Sequence, residues 1–121
     1  MKLTVKPTSF LKDIRNAFQN AYPNLDIRFY NSEHGMNQGS HISEEVDMNT
    51  TIKQTSKKPF IQETITITTD QKVSEVEEQF LKKLGLNVQV FRKSGQLWLQ
   101  TSNTDHLTIK DQLNLVAEYK D

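Results

Sequence analysis

The chain has no cysteine, three prolines, four glycines and one tryptophan among 121 residues, and its fifteen basic side chains are matched by fifteen acidic ones. The missing thiols exclude disulfides, thiolate-bound metals, iron–sulfur clusters and cysteine nucleophiles. Balanced charge leaves out the polyelectrolyte footprint of a dedicated nucleic-acid binder, although it is compatible with a local basic patch. No apolar run approaches the roughly 18 residues of a membrane span, and the opening MKLTVKPTSF lacks the sustained apolar segment of a signal peptide. These absences lead to the expectation of a cytoplasmic protein with no membrane partner, forming a single α+β domain over residues 1–121.

What is present is a succession of short periodic segments. Leu3 and Val5 alternate with Lys2, Thr4 and Lys6 in a first strand that Pro7 ends. Leu11, Ile14, Phe18, Ala21 and Tyr22 recur at helical spacing, with Thr8 or Ser9 as the expected N-cap and Pro23 as the stop. Leu25, Ile27 and Phe29 alternate with Asp26, Arg28 and Tyr30 in a second strand. Residues 31–59 are polar and poor in large apolar side chains, so this long connection is expected to be mobile, with one helical turn where Thr51 and Gln54 match a capping box. Residues 60–69 alternate again, with Ile61, Ile65 and Ile67 on one side. Ser74 and Glu77 form a second capping-box pattern ahead of the apolar stripe Val76, Phe80, Leu81 and Leu84, and Gly85 is placed to end that helix in the left-handed region. A third helix is expected from Thr108 and Asp111, bearing Ile109, Leu113, Val116 and Ala117. No internal repeat is legible.

The hairpin after Gly85 carries a parity decision. With an even-numbered loop, either Ser94-Gly95 or residues 92–95, Val88, Val90, Leu97 and Leu99 share one face while Phe91 and Trp98 share the other. A three-residue Lys93-Ser94-Gly95 loop would split the aliphatic set. Burying each such side chain stabilises by roughly 1.5–3 kcal/mol, more than most turn preferences, so the even loop is expected. The order strand, helix, strand, strand, helix, strand matches the split βαβ of a ferredoxin-like sandwich, with the hairpin adding a fifth edge strand and a third helix following. The stretch GLNVQVFRKSGQLWLQT, residues 85–101, continued by SNTDHLT, resembles the C-terminal signature of a family of small uncharacterised bacterial proteins. That resemblance implies that the hairpin is a unit, and it carries over no activity, cofactor or site.

In this fold the sheet face away from the first two helices would present Lys2, Thr4, Lys6, Arg28, Tyr30, Thr64, Thr66, Phe91, Lys93 and Trp98. Arg28, Tyr30, Phe91, Lys93 and Trp98 form the candidate binding surface. Three occupants compete for it: a protein partner or second copy of the chain, as exposed apolar patches commonly indicate; single-stranded nucleic acid stacked on the aromatic rings; and the third helix folding back over Phe91 and Trp98. No aromatic-and-glycine signature of RNA-recognition motifs accompanies the face.

Catalytic patterns are sparse. His34 and His41 with Glu33, Glu44 and Glu45 are nitrogen and oxygen donors for a divalent metal, the basis of a metal-dependent enzyme alternative, but their spacing fits no helical or zinc pattern. Asp105-His106 near Ser102 and Thr104 contains triad residue types without triad geometry, and helix capping explains it better. Gly35 and Gly39 form no phosphate loop. The expectation is a non-catalytic binding or interaction module with no cofactor.

Overall fold

The structure, a computed structural model, describes residues 1–31 and 45–118. The alternating segments form strands β1 (Lys2–Val5), β2 (Leu25–Tyr30), β3 (Glu63–Thr66), β4 (Asn87–Ser94) and β5 (Leu97–Gln100). The helices are α1 (Leu11–Ala21), the single turn α2 (Ile52–Thr55), α3 (Val73–Leu84) and α4 (Ile109–Glu118). The α+β class is as expected. Among the described residues the strands lie in two sheets, β1-β3 and β2-β4-β5, and every pairing is antiparallel.

The ferredoxin-like topology expected from the element order is not shown. That arrangement places β1 beside β3 in one antiparallel sheet, with β2 paired to β3 and β4 paired to β1. Here β1 and β3 do pair antiparallel, Leu3 opposite Ile65, but β4 turns to β2 instead of β1, with Ile27 opposite Val90 in a second sheet.

The departure has a physical cause at the helix starts, whose first amides lack intrahelical partners. Phe10, the N-cap of α1, bridges to Thr51, the N-cap of α2. Leu11 and Lys12 donate to the carbonyls of Thr50 and Met48, while Ile52 and Lys53 donate to those of Ser9 and Pro7. The same exchange recurs where Lys72 bridges to Thr108: Val73 and Ser74 donate to Leu107 and Asp105, and Ile109 and Lys110 donate to Gln71 and Thr69. The two halves, β1-α1-β2 with α2 and β3-α3-β4 with α4, are thus built alike. Equivalent strands pair antiparallel, as a local two-fold axis requires, so the structure contains a repeat that the sequence hides.

These junctions also correct the expected caps. Neither Thr8 nor Ser9 caps α1; the Ser9 hydroxyl accepts from the Lys6 amide, and remote carbonyls serve the helix instead. α3 starts two residues earlier than the Ser74–Glu77 pattern implied, with Glu75 accepting from the Lys72 amide. The Thr51–Gln54 and Thr108–Asp111 boxes both form, and Gly85 ends α3 at φ 66°. Of the segment expected to be mobile, the described part from residue 45 onward is tied down: Ile52 is buried in the core, and Val46 donates to the Phe29 carbonyl.

One apolar core collects Val5, Leu11, Ile14, Phe18, Leu25, Ile27, Phe29, Ile65, Ile67, Val76, Phe80, Leu84, Val88 and Val90, so both sheets and both long helices meet there. Ile61 is not part of it. β3 begins only at Glu63, leaving Ile61 89% exposed. Among the described helices none is long and apolar enough to cross a membrane.

Candidate functional site

The face of β2-β4-β5 away from the core is built by strand alternation. Asp26, Arg28 and Tyr30 of β2 stand opposite Phe91, Gln89 and Asn87 of β4, and Lys93 and Phe91 stand opposite Trp98 and Gln100 of β5. Cross-strand partners share a face, so Arg28, Tyr30, Phe91, Lys93 and Trp98 all lie on this one. The turn is Gly95-Gln96, even-numbered, and the expected parity holds.

Its position differs from either expected loop, and the consequence is large. Gly95 takes φ 60° at the first turn position, which places Leu97 opposite Ser94 and Leu99 opposite Arg92. Both leucines keep the parity of Val88 and Val90 but lie beyond the core's end, 67% and 38% exposed. Trp98 accordingly neighbours Lys93 rather than Phe91. Gln112 of α4 accepts from Arg92 Nη1 at 2.9 Å, and Ile109 enters the core, so α4 lies on the Arg92 side of the sheet.

Exposure is graded across the face. Tyr30 and Phe91 are 1% and 4% exposed, Arg28 and Trp98 are half-buried, and Lys93 is exposed. The Arg28 guanidinium carbon sits 4.1 Å from the centre of the Phe91 ring, a cation–π arrangement. Asp26 sets it there: the Asp26 carboxylate is buried and accepts from Arg15 Nε at 2.8 Å and Nη2 at 2.9 Å, Gln19 Nε2 at 3.0 Å, the Ile27 amide at 2.8 Å and Arg28 Nε at 3.4 Å. Glu45 approaches Arg28 Nη1 at 3.8 Å. The bond to Asp26 raises the Arg15 pKa, and burial pushes the Tyr30 phenol up to about 12, with Glu45 acting in the same direction and Arg28 against it.

Two polar atoms of this face are buried without a hydrogen-bond partner, the Tyr30 hydroxyl and Gln89 Oε1. Such a group costs about 1–3 kcal/mol of desolvation. Gln89 uses its amide nitrogen on the Val90 carbonyl at 3.1 Å and on Glu77 of α3 at 3.4 Å, while Glu77 also accepts from the Val90 amide at 3.0 Å. Asp26 and Gln89 escape sequence reasoning because a polar residue at an alternating position reads as solvent-facing, and Glu77 reads as a capping-box residue instead of a partner for β4. The one available signal is an acidic residue inside the apolar LDIRFY strand.

Other expected contributors are elsewhere. Lys2, Thr4, Thr64 and Thr66 pair across β1-β3, with the Thr4 and Thr64 hydroxyls 3.0 Å apart, in a separate sheet from the aromatic residues; Lys6 lies past the end of β1. His34, His41, Glu33, Glu44, Gly35 and Gly39 lie outside the described residues. Among the described residues no three or more His, Asp or Glu side chains gather as a metal site would require. A groove of about 330 Å³ along α3, lined by Gln71, Glu75, Glu78, Gln79, Lys82 and Lys83, is open, and Lys82 pairs with Glu78 at 2.6 Å, as on a solvated helix face. No family model, curated protein or solved structure matches the chain.

Proposed function

We propose that this protein is a small non-catalytic interaction module that receives a protein segment on the outer face of β2-β4-β5. The observation that carries the proposal is the gathering of Arg28, Tyr30, Phe91, Lys93 and Trp98 on one face, with buried aromatic surface at its base and a free cation at its rim. Aromatic residues and arginine are the side chains over-represented at protein interfaces. Electrostatics favour a protein over a nucleic acid. Arg28 is held by Asp26 and Glu45, which leaves Lys93 as the one exposed cation among the five, too little charge to neutralise a phosphate backbone. The fitting partner is an apolar or aromatic peptide carrying a carboxylate for Lys93.

Selection of random-sequence peptides against the immobilised protein, followed by amide-shift mapping of the selected peptides, tests this. Shifts are expected at Arg28, Tyr30, Phe91, Lys93 and Trp98, and they should be lost in Trp98→Ala. Peptides that map elsewhere would overturn the proposal. Salt-sensitive shifts on the same residues with single-stranded oligonucleotides would replace the partner by nucleic acid, and zinc shifts at His34 and His41 would argue for a metal-dependent enzyme.

A further inference from the structure

We propose that the chain forms a two-fold symmetric dimer by antiparallel pairing of β5 with β5 of a second copy, centred on Trp98. The case rests on the edge of the sheet and is independent of what its face binds.

A strand edge leaves backbone N–H and C=O groups without partners, and proteins protect such edges because they template pairing with another chain. Among the described residues several outward-pointing groups on the other strands are capped. On β2, the Ile27 amide is taken by Asp26 Oδ1, and the Phe29 carbonyl accepts from the Val46 amide. On β3, Gln79 of α3 accepts from the Thr66 amide at 2.9 Å and donates to its carbonyl at 2.8 Å, in the manner of a strand, while Lys83 donates to the Thr64 carbonyl at 2.7 Å. Where β4 outruns β5, Glu77 accepts from the Val90 amide. The outer side of β1 carries Lys2 and Lys6 and ends at Pro7, the usual deterrents.

At Trp98, β5 shows no such cap among the described residues. Its sequence LWLQ contains no charge and no proline, and two of its four residues are exposed leucines. Register identifies the groups concerned. The Thr101 amide donates to the Val90 carbonyl, so hydrogen-bonded pairs alternate along the hairpin at 90 with 101, 92 with 99 and 94 with 97. The backbone groups of Leu97 and Leu99 therefore point inward to β4, and those of Trp98 point outward.

The segment Gln96-Leu97-Trp98-Leu99-Gln100 reads the same in both directions. This palindrome selects a second copy as the occupant, because a two-fold interface must be self-complementary. With the axis at Trp98, each Trp98 donates its amide to the other's carbonyl. Leu97 faces Leu99 of the second copy and Leu99 faces Leu97, so four exposed leucines bury one another on one side while the two indoles adjoin on the other. The result is a continuous six-stranded sheet. No like charges meet across the seam, since Lys93 lies one strand further in on each copy.

The full-length protein tests this by sedimentation equilibrium from micromolar to millimolar concentration, against a monomer of 14.0 kDa. A concentration-dependent doubling of mass is expected, together with slow exchange of the Trp98 amide that is lost on dilution. L97K/L99K and L97E/L99E each place like charges opposite one another and should be monomeric throughout. Mixing the two variants should restore a 1:1 dimer, and L97K/L99E, which sets opposite charges across the seam, should self-associate. Because both leucines are exposed, circular dichroism should confirm that every variant stays folded. A mass that stays at one chain throughout the range would overturn the proposal, as would a dimer indifferent to L97K/L99K or one whose Trp98 amide exchanges freely. Either result would leave the peptide-binding proposal standing, since that is read from shifts on the face.

Discussion

Gly85 and Gly95 both take positive φ, at 66° and 60°, yet replacing each by alanine should have different consequences. An L-residue in the left-handed region costs about 1–2 kcal/mol, offset by roughly 0.4–1 kcal/mol from the stiffer unfolded chain. Gly95 lies at an open turn with nothing within 4 Å of a built Cβ, so Gly95→Ala should lose only the difference, about 0–1.6 kcal/mol. At Gly85 the added methyl would run into Ser56 Oγ and stand 2.7 Å from Lys58 Cβ. Ser56 cannot move without cost, because its hydroxyl accepts from the Lys58 amide at 3.1 Å. Overpacking of this kind adds about 1–3 kcal/mol, so Gly85→Ala should lose about 1–4.6 kcal/mol in all. Urea titration reads both losses as midpoint shifts, given a slope of about 1–3 kcal/mol per molar for proteins of this size. Equal losses in the two variants would refute the close packing of residues 56–58 on the α3 C-terminus.

Asp26→Ala should destabilise by about 3 kcal/mol, near the lower end for breaking a buried ion pair because Arg15 is 34% exposed and regains water; a denaturation midpoint within about 0.5 kcal/mol of the parent would show that the carboxylate is not the organising group described. Tyr30→Phe removes a buried hydroxyl that has no partner and should be neutral or stabilising, whereas a large loss would mean that the hydroxyl is bonded. Because the folded protein holds the Tyr30 proton up to about pH 12 and the unfolded chain releases it near 10, the folded state binds more protons between those values, so stability should fall as pH rises through that window and fall less steeply in Tyr30→Phe. Amide exchange at Leu11, Lys12, Val73, Ser74, Ile109 and Lys110 should be slow, unlike ordinary first-turn helix amides, and fast exchange there would dissolve the paired helix junctions.

Local pattern alone determined much of this molecule. Alternation placed β2 at Leu25–Tyr30, helical spacing placed α1 and α3, Gly85 and the Thr51 and Thr108 boxes set ends where they were expected, and the even hairpin parity put Phe91 and Trp98 on one face. Each of these depends on residues within a few positions of one another, where side-chain periodicity and backbone conformational preference suffice. Tertiary structure alone decided which strands pair, because β1 meets β3 and β2 meets β4 only once remote carbonyls have locked the helix starts together in two like junctions. Those bonds use backbone groups common to every residue, so no side-chain pattern announces them, and the repeat they create is equally silent in the sequence. The site divides in the same way. That Arg28, Tyr30, Phe91, Lys93 and Trp98 share one face was legible from alternation, whereas the burial of Tyr30, Phe91 and Asp26, the orphaned groups of Tyr30 and Gln89, and the exposure of Leu97 and Leu99 follow from where the sheet ends against its neighbours, which a single chain's periodicity does not encode.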